Sequence, residues 1–197
     1  MVKVSASGRI KRQHMMVAAL LIVMAAVALF AMGRPPICTC GTVKLWVGAV
    51  NSADNSQHLI DWYSPSHLIH GLLFYWIGSL FLRRNPIGER LVGAVAIEAC
   101  WEVLENSKYI IHRYREATVA LGYTGDSIIN SMSDIGFMIV GFLLARRLPV
   151  AASVLLGVGL ELLALWAVRD NLTLNVVMLL WPIDAIRHWQ AAGGHAF

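Results

Sequence analysis

Six apolar runs, separated by charged or Pro- and Gly-containing stretches, set the pattern of this chain. The first, residues 15–32, rises far enough at about 1.5 Å per residue to cross a hydrocarbon core of roughly 30 Å. Four more cover 66–82, 90–104, 128–144 and 150–168. The last, 172–181, is too short to span and is closed by Pro182, which suits a helix lying at an interface or re-entering the bundle. All are continuous and rich in Leu and Ala, without the alternation over about ten residues that marks a membrane barrel strand. The pattern predicts an all-α fold: a polytopic membrane helix bundle of about five transmembrane helices plus a short C-terminal interfacial or re-entrant helix. Residues 1–14 form a basic cytoplasmic N-terminus, and 15–197 a single membrane domain.

Composition agrees, with 57% hydrophobic and 14% charged residues, since soluble domains are about half apolar. Lys3, Arg9, Lys11, Arg12 and His14 before the first run also fit a secretory signal peptide, with Ala31-Met32-Gly33 as a cleavage site. The length of the run and the spans that follow favour an uncleaved anchor. Basic residues set the orientation. The N-terminal segment, the turn with Arg83, Arg84 and Arg90, and Arg146-Arg147 fall on one side, which the positive-inside rule makes cytoplasmic. Residues 33–65 and 105–127 then form long periplasmic loops of a bacterial inner-membrane protein. The net charge of +4 follows from this rule, and nothing resembles a nucleic-acid module.

Ionisable residues within the spans change the picture most, because a charge at mid-bilayer costs at least about 2.5 kcal/mol and persists where it is paired, hydrated or used. His67 and His70 share a face of the second span, and Glu98, Glu102 and Glu105 share one on the third. Asp126, Asn130 and Asp134 recur at four-residue steps into the fourth, beside Ser127 and Ser131. Turned toward one another, the three stripes predict a buried polar pocket near the periplasmic face. Around its mouth Arg113, Arg115 and Arg169 alternate with acids. They are candidate contacts for an anionic lipid headgroup, or partners in Arg–carboxylate pairs that hold the loops. Cys38 and Cys40 form a disulfide, a metal-binding pair or no linkage, while Cys100 reads as a buried small residue.

Several polar motifs carry a resemblance: Ile37-Cys38-Thr39-Cys40-Gly41, Ser56-Gln57-His58, Asp61-Trp62-Tyr63, Arg113-Tyr114-Arg115-Glu116-Ala117, Gly125-Asp126-Ser127 and Arg169-Asp170-Asn171-Leu172-Thr173-Leu174-Asn175. From about Arg34 to Gln190 the chain resembles uncharacterised protein family 0314, bacterial multi-pass membrane proteins of unknown function. The resemblance implies a cell-membrane location and brings no catalytic residues.

The residues themselves support three functions. His67, His70, Glu98 and Glu102 are a nitrogen and oxygen donor set for Zn, Mn or Fe, in an enzyme that modifies an envelope lipid, with Glu98, Glu102, Asp126 and Asp134 as candidate catalytic groups. The same acids suit a small proton-coupled carrier. Alternatively the stripes are interhelical bonds of a bundle that assists lipid or membrane-protein partners.

Overall fold

The computed structural model describes residues 8–117 and 122–192. Among these, the chain forms α1 (Arg12–Ala31), α2 (Ser64–Phe81), α3 (Ile87–Glu105), α4 (Lys108–Ala117), α5 (Ile128–Arg147), α6 (Val150–Val168), α7 (Leu172–Leu180) and α8 (Asp184–Ala191). The described residues hold no strand, only an isolated bridge between Trp46 and Ile60. Three helices, α1, α5 and α6, are long and apolar enough to cross a membrane. The other two expected spans, α2 and α3, match them in length at 18 and 19 residues, but imidazoles and carboxylates lower their apolar character.

The centre of the bundle is the crossing of α2 over α5. It is close because Gly71 and Gly141 meet there. A Cβ on Gly71 would lie 2.0 Å from the carbonyl oxygen of Met138, and one on Gly141 would lie 2.0 Å from that of Leu68. Small residues let helix backbones approach in this way. Leu72, Tyr75, Val95, Ile135, Met138 and Phe142 form the core around the crossing. α1 packs on α3 through Ala18, Ala25 and Leu29, and its His14 ring fills the space that a side chain on Gly88 would need. α6 rests on α2 and buries only Ser153, Ala164 and Val168. Met16, Leu20, Val23 and Val27 of α1, with Val154, Leu155, Val158 and Leu162 of α6, are exposed, giving more apolar exterior than a water-soluble monomer presents.

Two expected loops contain helices. Within residues 105–127 lies α4, which buries Ile110, Tyr114 and Ala117 on one face and leaves the rest outward. After Pro182 comes the short α8. The turn after α2 differs too. Arg90 is not a surface charge but a buried one, donating to the carbonyl oxygens of Arg83 at 2.8 Å and Asn85 at 3.0 Å. It thereby satisfies carbonyls of the turn between α2 and α3.

The long loop before α2 is stitched to the start of α5. The exposed N–H groups of Ile128 and Ile129 donate to the carbonyls of Pro35 and Pro36, Ser127 Oγ caps Asn130, and Asn130 Nδ2 donates to His58 O at 2.7 Å. Arg34 reaches the carbonyl of Thr124.

After α6, at the same end of the bundle, the chain turns sharply at Arg169, a left-handed residue with φ 55°. Glu161 of α6 then accepts from the N–H groups of Leu172 at 2.9 Å and Thr173 at 3.0 Å, placing a carboxylate at the positive end of α7. Asn171 Oδ1 adds a cap from Leu174 N at 2.8 Å. Glu161→Leu is expected to lower stability by about 1–2 kcal/mol and to speed amide exchange of α7 selectively. Unchanged α7 protection would remove this role from Glu161.

Candidate functional site

α2, α3 and α5 bring their polar stripes to one cavity of about 230 Å³, covered by α4 and α7. The periodicity of each helix supplies a face, and the Gly71–Gly141 crossing brings α2 and α5 together. His67 Nδ1 lies 2.7 Å from Glu98 Oε1 and 3.4 Å from Glu102 Oε1, while its Nε2 is 3.8 Å from Asp134 Oδ2. His70 Nδ1 is 3.1 Å from each oxygen of Glu98. One buried carboxylate therefore serves two imidazoles from the adjacent helix.

Glu98, Glu105, Asp126 and Asp134 line the cavity beside His67 and His70, and among the described residues no Lys or Arg lines it. Glu102 is fully buried behind them, yet neither of its carboxylate oxygens has a hydrogen-bond partner, and Asp134 Oδ1 has none either. Buried orphans of this kind are costly. Two sets, His67 with His70 and Glu98, and His67 with Glu102 and Glu105, have donor atoms close enough to hold one metal ion. With bonds of about 2.0–2.2 Å, donors around one ion sit roughly 3 Å apart, so the observed separations suit either ion pairs or a coordination shell.

Asp126 joins this site from just before α5. Asn106 Nδ2 and Tyr123 Oη donate to it, each at 2.8 Å, and its own N–H donates to Asn106 Oδ1 at 2.7 Å. Burial raises its carboxyl to about 6 against those bonds. Asp170, in the α6–α7 turn, is also raised to about 6 by burial, although Asn171 N, Asn175, Tyr63 and Gln190 donate to it. Burial lifts Asp61 as well, despite its capping bonds from Tyr63 N and Ser64 N at the start of α2. The phenols of Tyr63, Tyr114 and Tyr123 are raised well above their ordinary range, by burial first and neighbouring carboxylates second, which keeps them proton donors.

A raised acid has a definite pH signature. The folded state holds the proton more tightly than the unfolded one, so the stabilisation is complete below the ordinary carboxylate range near 4. It is lost as pH rises through about 6. The thermal midpoint of metal-free protein is expected to fall between about pH 4 and 6 and to level off above, and Asp170→Asn to flatten part of that fall. A midpoint rising over this window would contradict the assignment.

The arginines expected at the mouth point elsewhere and do not line the cavity. Arg113 Nε donates to Leu179 O at 2.9 Å, Arg115 Nε to Tyr123 O, and Arg169 to Trp189 O at 2.9 Å while stacking on that ring. Through carbonyls they tie α4 to α7, α4 to the loop before α5, and the end of α6 to α8. Among the described residues none of these three arginines pairs with a carboxylate, and the one Arg–carboxylate pair is Arg187 with Asp184 within α8. Tyr114 Oη donates to Asn175 Oδ1 at 2.9 Å and completes the α4–α7 cover.

Cys38 and Cys40 are disulfide-bonded beside Asp54, Lys44 and His58. His58 Nδ1 accepts from Lys44 N at 3.1 Å, so its Nε2 carries the proton that faces Asp54 and has no lone pair for a metal. Lys44 pairs with Asp54 and holds that carboxyl below its usual value. Cys100, expected to be buried, is exposed on the outer face of α3. The roles of Asn106 and Glu161 escaped the sequence reading. The only signal was an Asn one turn after Glu102, and a single acid in an otherwise apolar span.

An all-helical bundle with three helices of membrane-spanning length and a buried His and carboxylate cavity is the class of protein these features define. Residues 29–192 match the family model described as Protein of unknown function (DUF2585), and the chain belongs to this family. It is 58% identical over 176 residues to a UPF0314 protein of Agrobacterium fabrum, covering 89% of each chain. It is 56% identical over 172 residues to one of Novosphingobium aromaticivorans, covering 85% of this chain and 87% of that one. A Rhizobium etli relative is 54% identical over 187 residues, covering 94% and 96%. No solved structure matches.

Proposed function

We propose that this is a multi-pass protein of the bacterial inner membrane, with α1, α2, α3, α5 and α6 as spans and a cytoplasmic N-terminus, and that it is a metal-dependent hydrolase or transferase acting on an envelope lipid. The apolar exterior of α1 and α6 and the basic ends at Arg83, Arg84, Arg146 and Arg147 support the topology. The observation that carries the activity is Glu102, fully buried, without a hydrogen bond to either oxygen and 3.4 Å from His67, behind an acidic cavity that no described Lys or Arg lines.

A divalent cation held by these residues would offset the clustered negative charge and supply Lewis-acid chemistry. His67, His70 and Glu98 hold it. Glu102 and Asp134 keep oxygens free to take a proton from an attacking water or alcohol and return it to the leaving group. Arg113, Arg115 and Arg169 hold the cover in register at the headgroup level.

Metal analysis of detergent-purified protein tests the reading. About one divalent ion per chain is expected in the wild type and a loss of most of it in the His67→Ala, His70→Ala double variant. Equal, metal-free results for both would overturn the enzyme reading and leave the stripes as packing bonds.

A further inference from the structure

The cavity has two unlike halves. Beside the His67–Glu98 floor, where Phe74 stacks on His70, the lining is apolar: Phe74 of α2, Ile97 and Trp101 of α3, and Leu172, Val176 and Leu179 of α7. The three α7 residues recur at helical spacing and form one apolar stripe. Ile97 and Val176 line the cavity and yet are 56% and 42% exposed. The apolar half therefore reaches the exterior between α3 and α7, onto a surface continued by exposed Leu104 and Leu180.

Size and charge narrow what enters. A cavity of about 230 Å³ holds roughly eight water volumes and is smaller than the roughly 300–1,000 Å³ of sites that enclose a drug-sized ligand. A whole lipid does not fit, whereas a polar end and the first few carbons do, with the remaining chain outside along Ile97 and Val176. Four carboxylates and two imidazoles face that polar end, with no lysine or arginine among the described residues, and Arg113, Arg115 and Arg169 are engaged by carbonyls outside. Without a metal the floor repels an anion, and accepts a hydroxyl or an ammonium group.

We propose that a membrane amphiphile enters this cavity sideways, between α3 and α7, with one hydrocarbon chain against the α7 stripe and a hydroxyl or amine end on the His67–Glu98 floor. The inference rests on the cavity being the substrate site, and it names the entry route and the polar end.

The test uses full-length protein in lipid nanodiscs with chelator present, so that it is independent of metal binding. The probe is a long-chain alcohol carrying a photoreactive diazirine several carbons along its chain from the hydroxyl. Label is expected on peptides containing Trp101 and Leu172–Leu179. Dodecylamine is expected to compete roughly tenfold better than dodecyl phosphate. Val176→Trp and Ile97→Trp, on opposite sides of the gap, should each cut labelling several-fold, and Val154→Trp on the outer face of α6 should not. Label spread over α1 and α6 without enrichment, equal competition by the phosphate, or indifference to both gap variants would overturn the proposal. Metal binding with failed labelling removes this route alone. Labelling without metal binding removes the metal-dependent activity and leaves the amphiphile site.

Discussion

Gly71→Ala is expected to leave little folded protein, the largest effect of any single methyl group in this chain. The added carbon would sit 2.0 Å from Met138 O, 2.6 Å from Phe142 N and 2.9 Å from Gly141 C, all backbone atoms of α5. No rotamer change relieves such contacts. The helices must separate, and with them Phe142, Met138 and Tyr75 of the core. The cost is about 3 kcal/mol or more, at the upper end for overpacking. Gly93→Ala on α3 and Gly136→Ala on α5 are the controls. Neither added carbon would meet any atom within 4 Å, and alanine in a helix is better than glycine by up to about 1 kcal/mol. Thermal unfolding in detergent should therefore give a lost or sharply lowered transition for Gly71→Ala and an unchanged or higher one for the controls. A near-native midpoint for Gly71→Ala would mean that the α2–α5 crossing is wider than described.

Glu98 and Glu102 lie one turn apart and are equally buried, but opposite outcomes are expected. Glu98 partners both His67 and His70, so Glu98→Ala strands two buried imidazoles and should cost about 3–5 kcal/mol, as breaking a buried ion pair does. Glu102 has no hydrogen bond to either oxygen, only the His67 ring 3.4 Å away. Its neutral isostere in Glu102→Gln removes a charge-burial penalty, and the metal-free protein should be as stable as wild type or more so. If an ion is bound, the same variant should lose the stabilisation that the ion adds, since binding to the folded state alone raises stability. Melting curves with and without chelator read both effects. Equal destabilisation by the two substitutions would show that Glu102 has a structural partner after all.

The stripes themselves were legible. His67 with His70, Glu98 with Glu102, and Asn130 with Asp134 share faces by helical spacing alone, and all three pairs are gathered at the cavity. The apolar runs gave every long helix to within a few residues. The short helices were harder. The Ile110, Tyr114 and Ala117 face of α4 is only ten residues long and is otherwise polar, too little for a hydropathy window, and its register is fixed by Arg113 and Tyr114 bonding to α7. The arginines misled for a related reason. A guanidinium satisfies carboxylates and carbonyls alike, so composition near a mouth does not say which it meets. Arg90 turned inward to the end of α2, and Arg169 turned onto Trp189.

By itself the sequence determined the helical class, the faces that are polar, and the helices apolar enough to cross a membrane, because these are properties of residues a few positions apart on one helix. Only the tertiary structure decided which faces meet. His67 and Glu98 are 31 residues apart, and what sets them 2.7 Å from each other is the packing of α2 against α3, while two glycines close the crossing of α2 over α5 beside them. It also decided that Glu102 is left without a hydrogen-bond partner. That depends on the positions of His67, Asp134 and Asn106 at once, and no local pattern encodes it.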